Sequence, residues 1–215
     1  MRAVSARFTI AVLAACLGAA LPGAAFAVDA AGPPAAGAAE KPAGGVTWGV
    51  VARGGYYGIP DAVAGEIFYR HPEVSGWIAG AELRYFGNGG ARSITSIGLA
   101  VDHGYAEADG LWQAEKTDRP VQASGSATMT AITLTTYWNL FPSWRLHPYV
   151  GLGVGAAYFE GEYEDAGGPI RESGWLPAVH IPIGLAFELG ENAQLSAEAR
   201  FIDGFAAGGA LLLRF

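Results

Sequence analysis

The sequence predicts an all-β fold, an eight-stranded antiparallel barrel that crosses a membrane, and three observations predict it. Eight segments after residue 45 show period-two hydrophobicity, and their connectors alternate between short and long. Each segment is apolar on one face, while the charges gather on the other. No stretch beyond the first 27 residues has the ~20 uninterrupted apolar residues of a spanning helix, although 51% of the chain is hydrophobic and 32 residues are glycine. Alternation dilutes lipid-facing residues in this way in a membrane barrel.

The chain opens with Arg2 and Arg7, an apolar run from Phe8 to Leu21, and small residues at Ala25-Phe26-Ala27. This reads as a signal peptide over 1–27, cut after Ala27. Leu13-Ala-Ala-Cys16 offers a competing lipoprotein reading, but Cys16 sits in the middle of the apolar run rather than at its end. With the cut at Ala27 the mature chain has no cysteine, which removes disulfides and thiol catalysis. Loss of Arg2 and Arg7 leaves 11 basic against 20 acidic residues, a balance that argues against a nucleic-acid partner. Residues 28–45, rich in Ala, Pro and Gly, read as a periplasmic linker, and 46–215 as the barrel.

The strands are predicted at Val46–Tyr57, Gly76–Phe86, Ser93–Tyr105, Ser126–Leu140, Leu146–Phe159, Gly174–Leu189, Ala193–Ile202 and Phe205–Phe215. Each meets or exceeds the ~9–11 residues a tilted strand needs to cross a bilayer. Gly87–Arg92, Phe141–Arg145 and Gly190–Asn192 are short turns. Gly58–Ser75, Ala106–Gly125 and Glu160–Ser173 are long polar loops whose charges sum to −8, and Asp203-Gly204 is a very short fourth connector at the same end. With both termini periplasmic, the long loops are expected outside the cell, where they could meet a surface ligand. Pro177 and Pro182 are out of place in a strand, since each removes a ladder donor, and they suggest a bulge or an irregular wall.

Alternation divides the two faces. The apolar one carries Trp48, Trp77, Tyr85, Trp138 and Trp175 towards strand ends, as interfacial aromatics do. The opposite one carries Arg53, Glu82, Arg84, Asp102, Glu188, Glu198, Arg200 and Arg214, four charges of each sign. A basic residue facing mid-bilayer costs ~2–4 kcal/mol, so these eight are expected inside, paired in a network that plugs an interior only wide enough for side chains. The Gly151, Gly153, Gly155 ladder is expected to make room for the arginines. A soluble lipocalin-like barrel is the alternative, with the apolar face lining a cavity and the charges outside.

The last strand ends on Phe215, with Leu213 and Leu211 on its face. That ending, the Pro148-Tyr-Val-Gly-Leu-Gly-Val-Gly-Ala-Ala-Tyr158 strand and Gly76-Trp77 resemble the small outer-membrane barrels of the OmpA/OmpX/OmpW type, over about Val46 to Phe215. The resemblance implies a location in the bacterial outer membrane and contact there with lipid and lipopolysaccharide. It also implies insertion by the barrel assembly machinery, which reads the terminal strand through Phe215, Leu213 and Leu211. The peptidoglycan-binding domain of some relatives has no counterpart here. Function is implied only loosely, because one fold hosts many roles.

Some barrels of this size modify lipid A with His, Ser and an acid. His71, His103, His147 and His180 show no such local grouping, and an inward His180 held by an acid or tyrosine is the simpler reading. Glu160-Gly-Glu-Tyr-Glu-Asp165 lacks the spacing of a calcium loop. The sequence therefore predicts a non-enzymatic, cofactor-free monomer with a structural or surface-interaction role. A narrow channel for small or apolar solutes is the alternative and a lipid A-modifying enzyme the third.

Overall fold

A computed structural model describes residues 47–59, 69–87, 93–113, 116–117, 119–165 and 168–215. The expected signal peptide and linker lie outside the described residues. Eight antiparallel strands close into a single ring in chain order. They are β1 Trp48–Ile59, β2 Val74–Tyr85, β3 Thr95–Trp112, β4 Val121–Asn139, β5 Leu146–Asp165, β6 Gly168–Glu188, β7 Ala193–Ile202 and β8 Phe205–Arg214. β8 pairs back onto β1, from Gly49 opposite Arg214 to Gly58 opposite Phe205. Trp48 and Phe215 extend that seam by exchanging two N–H to carbonyl bonds, 3.2 and 2.9 Å long. Closure leaves no edge within the ring, as a wall immersed in hydrocarbon requires.

Side chains alternate across the wall in the sense that charge placement requires. Outward are Val50, Leu83, Leu99, Val101, Ile132, Leu134, Leu152, Val154, Ile183, Leu185 and Leu195, all exposed. Inward are the eight charges, of which Arg53, Glu82, Arg84, Asp102, Glu198, Arg200 and Arg214 are buried and Glu188 is half-buried. A soluble barrel hides its apolar residues and exposes its charges; this one does the reverse, which contradicts the lipocalin-like alternative.

Aromatic residues mark both rims of the apolar band. At the end where β1 begins and β8 finishes, Trp48 lies 5.0 Å from Tyr85, with Trp138, Phe187 and Phe215 also exposed around that rim. At the other, upper, end Trp175 lies 5.3 Å from Tyr158 and Phe201 5.3 Å from Phe205, with Tyr56 and Trp77 exposed nearby. Phe205 and Phe215 bound the outward face of β8. At ~3.3 Å per residue and a tilt of ~40°, they stand about 25 Å apart along the barrel axis, the height of an outer-membrane apolar band.

The strands are very unequal. β1, β2, β7 and β8 have 12, 12, 10 and 10 residues, whereas β3 to β6 have 18, 19, 20 and 21. This corrects the expectation of long loops at 106–125 and 160–173. Both stretches are mostly strand, paired as far as Trp112↔Val121 and Asp165↔Gly168. Their polarity reflects water on both faces above the membrane, where a hairpin needs no apolar side, and polarity alone does not separate strand from loop. Residues 60–68 of the first connector lie outside the described residues.

Candidate functional site

Two features carry chemistry: the lumen and the sheet that β3 to β6 raise above the ring.

In the lumen, Arg53 on β1 sits across from two acids on the next two strands. Its Nε donates to Asp102 Oδ1 at 2.8 Å, its Nη1 to Glu82 Oε2 at 2.9 Å, and its Nη2 to Asp102 Oδ2. The second oxygen of Glu82 accepts from Arg84 Nε at 2.5 Å, and Tyr137 donates to Glu82 Oε2 at 2.5 Å. The Arg84 guanidinium also lies 3.7 Å from the centroid of the Tyr137 ring. Arg200 Nη1 donates to Glu198 Oε1 at 2.5 Å and its Nη2 approaches Asp102 Oδ1 at 3.9 Å, while Tyr149 donates to Glu198 Oε2 at 2.7 Å. Three arginines and three acids thus form one neutral network. Arg214 and Glu188 form a second, bidentate pair at the terminal rim, both bonds 2.8 Å, with Gln194 as a further acceptor. Arginine suits these places because its planar fork matches a carboxylate edge to edge.

Glycines make room for this network, though not those the sequence singles out. A Cβ on Gly80 would sit 2.2 Å from Asp102 Oδ1, and one on Gly98 2.4 Å from Glu82 Oε1. The space beside Gly151 and Gly153 is filled instead by Pro182, Tyr137 and Thr135 of the flanking strands, not by arginines. Above the charges the lumen turns apolar. Tyr57, Ile78, Ala106, Ala131, Ala157, Ala178, Ile202 and Ala206 pack together, with Val74 and Met129 against them. Sequence reasoning missed this layer, although Tyr57, Ile78 and Ile202 stand at inward positions of strands already in register with Arg53, Glu82 and Arg200.

His180 points inward and is fully buried, but its partner is neither an acid nor a tyrosine: Nδ1 lies 2.8 Å from Thr135 Oγ1. His103 faces outward at the upper aromatic rim, 2.9 Å from Thr130 Oγ1 and 5.8 Å from the Trp77 ring. Among the described residues no three His, Cys, Asp or Glu side chains group as a metal would need.

The raised sheet has an open side. β6 pairs with β7 only from Glu188 to His180, so among the described residues its upper part, Gly168 to Val179, has β5 on one side and no strand on the other. In an antiparallel ladder a residue's N–H and C=O both point to one side, and the side alternates. The Glu188 N–H bonds the Arg145 carbonyl on the β5 side and the Leu189 N–H bonds the Ala193 carbonyl on the β7 side, so even residues of β6 face β5 and odd ones face away. This resolves the two prolines. Pro182 faces β5, and two positions, Gly151–Pro182 and Leu152–Ile181, are missing from a ladder that keeps one register on either side of them. Pro177 and Pro169 face the open side. There is no bulge at either Pro177 or Pro182, which corrects the irregular wall read from the sequence. Where β7 stops, the Asp203 carboxylate accepts the Val179 N–H, and burial pushes that carboxyl up to about 6 despite the bond. Between Pro169 and Pro177 the donors left on the open edge are those of Arg171, Ser173 and Trp175.

The faces of the raised sheet differ. Its outer face carries Glu107, Asp109, Glu160, Glu162 and Glu164, with Arg171 bonded to Glu162 at 2.9 Å. Its inner face carries Ala108, Ala123, Phe159, Ile170 and Leu176, with Glu172 as an acid among them.

No known family model matches the chain, and no curated protein matches it in sequence. Several solved structures are similar in shape. Neisserial surface protein A has 9% identity and a TM-score of 0.46, covering 80% of this chain and 100% of its own. A major outer membrane protein from Thermus thermophilus has 12% identity and a TM-score of 0.46, covering 80% and 100%. The outer membrane protein OprG from Pseudomonas aeruginosa has 13% identity and a TM-score of 0.46, covering 80% and 98%.

Proposed function

We propose that this chain is a bacterial outer-membrane barrel with a closed lumen, which acts at the cell surface through the sheet raised by β3 to β6. The observation that carries this reading is the open edge of β6. A purely structural barrel gains nothing from strands twice the length of its short wall. Here four strands stand clear of the ring with water on both faces, an acidic outer face and a less polar inner one. The edge is guarded against indiscriminate pairing by Pro169 and Pro177, and by the Asp203 cap at its base, devices that protein edges use against aggregation. What remains is a short window, Arg171 to Trp175, with three donors and an exposed tryptophan, suited to an extended segment of a partner. The ion-pair network below it and the apolar layer between them support a lumen that does not conduct, and the eight-strand ring leaves only side-chain space inside.

The test is topological and then functional. A Ser173→Cys variant should react with a membrane-impermeant maleimide on intact cells, and shortening the β5–β6 hairpin to the level of Tyr158 should leave the barrel assembled while changing surface attachment or aggregation of the cells. Protection of Ser173→Cys until the cells are lysed would contradict the orientation. Unchanged surface behaviour after the hairpin is shortened would leave the barrel a structural role alone.

A further inference from the structure

The β2–β3 ladder is interrupted at one place near its upper end. From Ser75↔Glu107 to Tyr85↔Ile97 the two strands keep a single register, which extended upward would set Arg70 opposite Trp112. Arg70 lies instead opposite Gln113, joined by N–H to carbonyl bonds of 3.1 and 2.9 Å in the two directions. One extra residue of β3 is therefore taken up between Glu107 and Gln113. Pro72, which has no N–H for the ladder, and Gly110 meet there. A Cβ on Gly110 would stand 2.8 Å from Pro72 Cβ. An extra residue in one strand opens the ladder and re-aims the neighbouring side chains. Here it leaves a shallow concavity of about 600 Å³, open to solvent and bordered by Tyr69, Arg70, His71, Leu111 and Gln122 beside the Pro72–Gly110 seam.

The wall is chemically specific. Arg70 is exposed and has no ion-pair partner among the described residues. His71 Nδ1 lies 3.1 Å from the Pro72 carbonyl, which can only accept, so Nδ1 holds the proton and Nε2 is left as an acceptor for a ligand hydroxyl. The Gln122 amide nitrogen donates to Asp109 Oδ1 at 3.1 Å, which fixes the amide and leaves its oxygen as an acceptor. Tyr69 and Leu111 are each half exposed and offer apolar surface. An exposed ring and an aliphatic side chain for the body of a ligand, a guanidinium for an anionic group and a fixed acceptor for a hydroxyl match a sugar acid. The adjoining hollow is lined by Glu73, Glu107 and Asp109, which repel a ligand bearing many anionic groups.

We propose that this concavity binds a saccharide unit with a single carboxylate or phosphate, the anion held by Arg70, a hydroxyl donating to His71 Nε2, and the ring against Tyr69 and Leu111. Its choice of a sugar rests on the upper end lying at the cell surface; the binding test does not, because both faces are accessible in micelles. Glucuronate titrated into the refolded mature protein in detergent micelles should give saturable shifts of the Gln122 side-chain amide by NMR. Arg70→Gln and Tyr69→Ala should each weaken it at least tenfold, whereas Arg119→Gln, at the hairpin tip outside the concavity, should not. A heavily sulfated disaccharide should bind more weakly than glucuronate. Equal binding by Arg70→Gln, tighter binding of the sulfated sugar, or no saturable response to glucuronate or to glucose 6-phosphate would overturn the proposal. Lipopolysaccharide of the host cell added to the same micelles identifies the source: competition points to the cell's own glycolipid, and its absence, with glucuronate still bound, to an external acidic polysaccharide.

Discussion

Replacing Arg53 with methionine removes the centre of the lumen network at nearly constant volume. The side chain is 1% exposed and makes three hydrogen bonds to carboxylates that are themselves fully buried. A hydrogen bond to a charged group contributes ~1.5–3 kcal/mol, but Arg84 keeps Glu82 partnered. Asp102 is the group abandoned, left with Arg200 at 3.9 Å. Removing one partner of a buried pair typically costs ~3–5 kcal/mol, and that is the loss expected in equilibrium urea unfolding in micelles, followed by tryptophan fluorescence. Asp102→Asn in the Arg53→Met background should recover part of it, because the orphaned charge is gone, so the double-mutant cycle should show a coupling of ~2 kcal/mol or more. A loss under ~1 kcal/mol, or additive single effects, would refute the reasoning and mean that water screens the lumen.

Three further outcomes are expected. Pro177→Thr gives the open edge of β6 another donor and should raise self-association of the purified protein in micelles, measured by sedimentation, without changing the barrel's unfolding midpoint. Asp203 has a folded pKa of about 6 against an ordinary 3.8, so the folded state holds the extra proton between these values; stability should fall as pH rises from about 4 to about 6 and level off above, and Asp203→Asn should abolish that slope. Deleting Phe215, which is 73% exposed and has little packing to lose, should slow insertion in cells far more than it lowers the unfolding midpoint; normal insertion would remove the terminal residue from the assembly signal.

The ring was legible because period two and the cost of charge in lipid act on every strand at once. Trp48, Val50 and Ala52 against Arg53, or Leu83 against Glu82 and Arg84, leave one choice of inside and outside. Strand ends above the membrane were not legible. Glu107, Asp109, Glu160 and Glu162 lie in paired strand although little more than Ala106, Ala108 and Phe159 alternates with them, since a sheet wetted on both faces needs no strong hydrophobic period. Which acid meets which arginine was also hidden, because it depends on register across strands far apart in sequence: Arg53 reaches Asp102 on β3, two strands away. Pro177 looked like a defect for the same reason. Its missing donor matters only if a strand lies on that side, and β7 stops before reaching it.

The central claim, a closed lumen beneath a surface-active sheet, is tested most directly by planar-bilayer conductance of the refolded mature protein, with a heat-dependent gel shift to establish that it has folded. The account predicts the shift and no discrete current steps, with steps appearing only when the network is broken, as in Arg53→Met. Steady unitary conductance by the unmodified protein would contradict it and make the protein a narrow channel.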